Sequence, residues 1–177
     1  MRTLAAALAL LSTGLFAPAQ NDGVVAGFRV RGQGRLIVLT ERGRPRRLNL
    51  GEQISAARLE EVELLFAARR GPHAYVVVSA CGPSKSRPDA RQCGAGVECD
   101  LVWIKLDAAR RVAGSKAVRY ESCWAPVTSA DGYKVGGGKL ELEYDDFREK
   151  VSRRVTYDAA QPEKGFQIAE RALEDVP

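Results

Sequence analysis

The run Tyr75-Val76-Val77-Val78-Ser79 constrains this chain more than any other segment. Three consecutive β-branched side chains lose rotamer freedom in a helix and pack well on a pleated sheet. A strand with no polar alternation suits a sheet that is covered on both faces. The remaining sequence reads the same way, as short apolar runs separated by Gly, Pro, Asp and basic residues, a pattern of strands and turns rather than long helices. Strands are expected at 24–30 and 36–40, flanking the turn Arg31-Gly32-Gln33-Gly34, and at 47–50 after the turn Arg42-Gly43-Arg44-Pro45. In 101–106, Val102, Ile104 and Leu106 share one face while Leu101 and Trp103 share the other. A strand at 117–123 returns beside it. Leu140, Leu142 and Tyr144 alternate with Lys139, Glu141 and Glu143, the mark of a half-exposed strand. Residues 151–157 repeat that pattern, with Arg153 interrupting the apolar face, and an edge strand is expected near 166–169.

Residues 55–70 read two ways. Ser55 as a cap, the helix formers that follow and Gly71-Pro72 as a stop describe a helix. Val62, Leu64, Phe66 and Ala68 alternating with Glu61 and Glu63 describe a strand that turns at Arg70-Gly71-Pro72-His73. The balance favours a helical turn over 55–60 followed by a strand. The expected fold is all-β or sheet-dominated α+β: an antiparallel meander of about eight short strands, as a sandwich or open barrel, with room for one short helix near 55–60.

Residues 1–19 have the layout of a secretory signal peptide: Arg2, an apolar stretch from Leu4 to Phe16, and the small-x-small site Ala17-Pro18-Ala19. On this reading residues 20–177 form a single domain, secreted or periplasmic after cleavage, and the formal charge falls from +5 to +4 with the loss of Arg2. Hydrophobic residues at 45% and charged ones at 28% are globular proportions, which excludes a disordered or fibrous chain. After the leader no apolar run approaches the roughly 18 residues of a transmembrane helix.

In an oxidising compartment Cys81, Cys93, Cys99 and Cys123 read as two disulfides with three possible pairings. The absence of any Cys-x-x-Cys pair argues against zinc. If the strands at 75–79 and 101–106 are antiparallel neighbours, Cys81 faces Cys99 across the loop 82–98, and Cys93 on that loop reaches Cys123. The loop itself, with Gly82, Pro83, Ser84, Ser86, Pro88, Asp89, Gly94 and Gly96, is poor in core-forming residues and depends on those bridges.

Catalytic motifs are sparse. His73 is the single histidine and occupies an expected turn, so a hydrolytic triad has to be built on it, and no Gly-x-Ser-x-Gly elbow occurs. The carboxylate groups Glu60/Glu61/Glu63, Glu141/Glu143 and Asp145-Asp146 fit solvated faces and turns better than an acid–base pair. Gly136-Gly137-Gly138 precedes a strand rather than opening a helix, so it reads as a hairpin connection and not a phosphate loop. Neither a cofactor nor a metal is implied.

Arg42, Arg44, Arg46 and Arg47 crowd one turn, with Arg31 and Arg35 in the hairpin before it. Guanidinium groups so placed bind phosphate, sulfate or carboxylate by paired hydrogen bonds. The small net charge and the lack of interleaved aromatics argue against specific nucleic-acid binding. The leading expectation is an exported, non-enzymatic binding domain for a protein or envelope component. The alternatives are a small secreted hydrolase with residues dispersed in sequence, or a polyanion-binding module that takes an anionic glycan or lipid at the arginine turn.

Overall fold

Val76, Val77 and Val78 have no exposed surface, because the strand that carries them is covered on both faces, as the β-branched run requires. The computed structural model describes residues 27–85 and 96–173. The expected leader at 1–19 and Cys93 lie outside them. Among the described residues there are twelve strands: β1 (Phe28–Gln33), β2 (Leu36–Glu41), β3 (Arg44–Leu48), β4 (Glu61–Arg70), β5 (His73–Pro83), β6 (Val97–Leu106), β7 (Val112–Ser122), β8 (Val127–Thr128), β9 (Tyr133–Gly136), β10 (Lys139–Asp146), β11 (Val151–Asp158) and β12 (Gln167–Ala172). Three-residue 3-10 turns at Gly51–Gln53 and Pro162–Lys164 are the only helical pieces among the described residues. The fold is thus sheet-dominated and antiparallel as expected, with more strands than the expected eight, and longer ones, β5 and β7 each running 11 residues. No helix among the described residues is long and apolar enough to cross a membrane.

Strands β1-β2-β3 form a small sheet, and the others form a nine-stranded sheet in the order β12-β11-β10-β8-β7-β6-β5-β4, with β9 also on β10. One core lies between the small sheet and one face of β4–β6, joining Phe28, Ile37, Leu39 and Leu48 to Val76, Val78, Val102, Ile104 and Leu106. A second core lies on the opposite face, joining Val77, Leu101 and Val118 to Leu140, Leu142, Val155 and Tyr157. The large sheet curls back on itself far enough to bring Phe66 of β4 within 5.1 Å of Tyr157 of β11, ring centre to ring centre. The alternation expected in 101–106 and 139–144 is observed, with Val102, Ile104 and Leu106 in the first core and Leu101 in the second.

Within 55–70, two sequence expectations need correction. The helical turn over 55–60 does not form. Its backbone donors are spent on distant partners: Ala57 N–H on Pro83 O at 2.8 Å, Leu59 N–H on Gly34 O at 2.6 Å and Glu60 N–H on Cys81 O at 3.0 Å. Ser55, rather than capping, donates both its N–H (2.7 Å) and its hydroxyl (2.6 Å) to Asp100 Oδ2. With Ile54, Ala56 and Leu59 buried, 54–60 is an irregular strap pressed flat across the sheets. The second correction concerns β4. Val62, Leu64, Phe66 and Ala68 do not share a face, because the pairing with β5 shifts between Leu64 and Phe66. The bulge at Leu65 sends Leu64 to the first core and Phe66 to the second. Beyond it, the alternation of every later residue is inverted.

Cys81 and Cys99 form the expected disulfide, with their Cα atoms 4.2 Å apart. They are directly opposed in the ladder, which continues past them to the pair Pro83↔Val97, so both strands run on into the expected loop 82–98. Cys123 is also disulfide-bonded.

Two consequences are measurable. A Cβ built on Gly82 falls 1.9 Å from the Arg58 carbonyl oxygen of the strap, so Gly82→Ala should cost about 1–3 kcal/mol of unfolding free energy in urea titrations. Burial pushes the Asp100 carboxyl above its ordinary 3.8, against the pull of the Ser55 hydrogen bonds and of Arg119. The folded state therefore holds this proton more tightly than the unfolded one, and the contribution of Asp100 to stability is complete below 3.8 and declines as pH rises through the raised value. Relative to Asp100→Asn, the protein should lose stability over that window and run parallel to the variant above it.

Candidate functional site

The small sheet begins its third strand earlier than the sequence suggested. Arg42 and Gly43 both take positive φ, 49° and 77°, forming the two-residue turn whose twist matches a hairpin. Arg44 is consequently already paired with Glu41, Pro45 with Thr40, Arg46 with Leu39 and Arg47 with Val38. Pro45 is tolerated because β3 is an edge strand. The expected arginine turn is therefore mostly strand, and its four arginines separate. Residues opposite one another share a face, so Arg44 and Arg46 lie on the face of Leu39 and Glu41, and Arg47 lies on the other.

On that inner face, beyond the last core residues, opens a cleft of about 500 Å³ lined by Leu39, Glu41, Arg42, Arg44, Arg46, Arg69, Ala108, Ala109 and Arg110. Three elements build it. The hairpin of β2 and β3 supplies Glu41, Arg42, Arg44 and Arg46. Strand β4 supplies Arg69, which is aimed here by the bulge at Leu65: without the extra residue Arg70 would take this face, whereas it reaches the Ala160 carbonyl at 2.6 Å instead. The turn between β6 and β7 supplies Arg110, at φ 62°. That turn is fixed by hydrogen bonds from Arg110 N–H to Asp107 O and from Asp107 N–H to Arg111 O, both 2.9 Å, and by Asp107 Oδ1 accepting from Arg111 N–H. The Arg111 N–H bond to that carboxylate, together with the Arg111 guanidinium bonded to Oδ2 and its charge, holds the Asp107 carboxyl below the ordinary aspartate range.

Charge in the cleft is unbalanced. Glu41 is its one carboxylate among the described residues. Its side chain is 15% exposed, accepts from Arg110 Nε at 2.8 Å and pairs with Arg69. The Arg69 guanidinium also sits 5.9 Å from the centre of the Phe28 ring, a cation–π distance. The side chains of Arg42, Arg44 and Arg46 are exposed and make no hydrogen bond or ion pair with any described residue. Among the described residues, two of the three non-glycine residues at positive φ, Arg42 and Arg110, belong to this cleft. A left-handed arginine costs about 1 kcal/mol or more, and strain of that kind collects at functional positions.

The other candidates are engaged elsewhere. His73 bonds the Leu106 carbonyl through Nδ1 at 3.3 Å, and no described carboxylate lies within ion-pair reach of it. Glu141 and Glu143 face outward in pairs with Arg154 and Arg171. Glu60 pairs with Arg58, and Glu63 accepts from the Tyr133 hydroxyl; burial, and after it that hydrogen bond, raises the Tyr133 pKa. Asp146 closes a strand-end turn, accepting from Arg148 N–H, Glu149 N–H and Arg153. Gly136-Gly137-Gly138 forms a hairpin connection, with Gly137 and Gly138 at positive φ.

In comparisons with known proteins, no family model, no curated protein and no solved structure matches this chain.

Sequence reasoning singled out Arg42, Arg44 and Arg46 but missed Arg69, Arg110 and Glu41. The one advance signal was the turn pattern Asp107-Ala108-Ala109-Arg110-Arg111 between two strands. Arg42→Asn, which suits the left-handed turn better, should raise unfolding free energy by about 0.5–1 kcal/mol in urea titrations while removing one charge from the cleft.

Proposed function

We propose that this protein is an exported, non-enzymatic binding domain whose ligand is an anion held in the arginine cleft. The observation that carries the reading is the set of three guanidinium groups, Arg42, Arg44 and Arg46, that have no partner among the described residues and line one concavity whose one described carboxylate is Glu41. Arginine is the side chain best suited to phosphate, sulfate and carboxylate groups, since its planar fork donates two parallel hydrogen bonds. Export is supported by the leader-like layout of residues 1–19 and by the Cys81–Cys99 disulfide. In that setting the available anions are glycans and lipid headgroups of the envelope. Binding rather than turnover is favoured because His73 and the carboxylate pairs are occupied by structural partners.

Retention on immobilised heparin tests the reading. Replacing Arg44 and Arg46 together by Ala should weaken binding by about tenfold or more, taking about 1 kcal/mol or more per charge-assisted hydrogen bond lost, without lowering thermal stability. Arg47→Ala, on the opposite face of the same strand, should change it by less than about twofold, because exposed charges outside the cleft are screened by salt. Equal losses from both variants, or none from either, would show that the cleft is not the binding site.

A further inference from the structure

The cleft arginines fall into two classes. Arg69 and Arg110 already hold a carboxylate, that of Glu41, which is built into the floor and mostly buried. Arg42, Arg44 and Arg46 hold none and form a row along the edge of the small sheet. Arg44 and Arg46 are alternate residues on one strand face, which sets their Cα atoms about 7 Å apart, and Arg42 continues the row into the turn.

We propose that Glu41 sets the valence of the ligand: as a resident carboxylate it fills the floor of the cleft and leaves the Arg42–Arg44–Arg46 row for a linear anion carrying several phosphate or sulfate groups. The inference rests on the anion-binding reading above and adds to it the class of anion. A single small anion entering the floor meets the negative charge of Glu41 at close range, where water is scarce and screening weak. At the row, one phosphate has to draw two guanidinium groups together against their mutual repulsion. An anion with charged groups repeated along its length meets each arginine where it stands, and its linked groups bind at high effective concentration once the first is held.

Glu41 then acts as a specificity-determining residue. It discriminates by occupying the two arginines that a small anion would otherwise use, while holding both in place. Sulfated and phosphorylated chains share the required chemistry, and separate probes tell them apart.

Calorimetric titration of the protein and of Glu41→Gln with inorganic phosphate, a polyphosphate of about ten units and a heparin octasaccharide reads the proposal directly. The wild-type protein should bind at least one of the two polyanions about a hundredfold more tightly than inorganic phosphate. Which polyanion it prefers separates phosphate from sulfate. Glu41→Gln should tighten inorganic phosphate by about tenfold or more and the preferred polyanion by less than about threefold, since only the small anion needs the floor. Unchanged phosphate affinity in Glu41→Gln, or equal tightening of all three probes, overturns the proposal while leaving the anion-binding reading intact. If neither protein binds any probe, both fall. Should Glu41→Gln not fold, Arg110→Asn is the independent check, because Asn suits its positive φ. As Arg110 is engaged by Glu41, this variant should weaken polyanion binding by clearly less than Arg44→Ala does. A loss as large as that of Arg44→Ala would overturn the proposal.

Discussion

The structure depends on the two-sided burial of its central strands. Val76, Val77 and Val78 are each fully enclosed, and an enclosed side chain of this size contributes about 1.5–3 kcal/mol relative to leaving it in water. That gain needs a cover on each face. The small sheet and the strap over 54–60 provide one, and the return of β10 and β11 provides the other. The result is three stacked layers in a chain of 177 residues, with β5 and β6 in the middle one and the Cys81–Cys99 bridge across their ladder.

The covers also explain the polar groups that are buried with them. The strap lies where its backbone donors have no helix to serve, so Asp100, 1% exposed, receives two hydrogen bonds from Ser55. Glu98, two residues earlier on the same strand and equally buried, accepts from the Ser84 and Ser122 hydroxyls at 2.8 and 2.7 Å. Arg119 stands 3.7 Å from Asp100 and 3.9 Å from Glu98, within ion-pair reach of both. Buried carboxylates are tolerated when they are satisfied in this way, and here they fasten the strap and the start of β6 to the sheet.

The arginine cleft forms where the two-layer cover runs out. The inner face of the small sheet is apolar as far as Leu39 and Leu48 and becomes charged at Glu41, Arg44 and Arg46. Across the gap, the bulge at Leu65 turns Arg69 toward that same opening. Both turns that contribute arginines hold them in the left-handed region. Asn or Gly fits such a position with less strain, so arginine there trades local stability for charge.

The strands at 75–79, 101–106 and 139–144 and the Cys81–Cys99 pair were legible in the sequence, because a side-chain period of two and a β-branched run are local properties that a residue carries wherever it goes. The strap was not, since Ser55 and the residues after it have good helix propensity and lose the helix only because Asp100, Pro83, Gly34 and Cys81 offer partners from elsewhere in the chain. The face taken by Phe66 and Arg69 was not legible either, because a bulge belongs to the pairing of β4 with β5 rather than to either strand alone. For the cleft, the sequence by itself determined that Arg42, Arg44, Arg46 and Arg47 would be concentrated within six residues. Only the tertiary structure decided that Arg47 faces away while Arg69 and Arg110 join the others around Glu41, because strand register and sheet packing, not proximity in sequence, set which side chains share a surface.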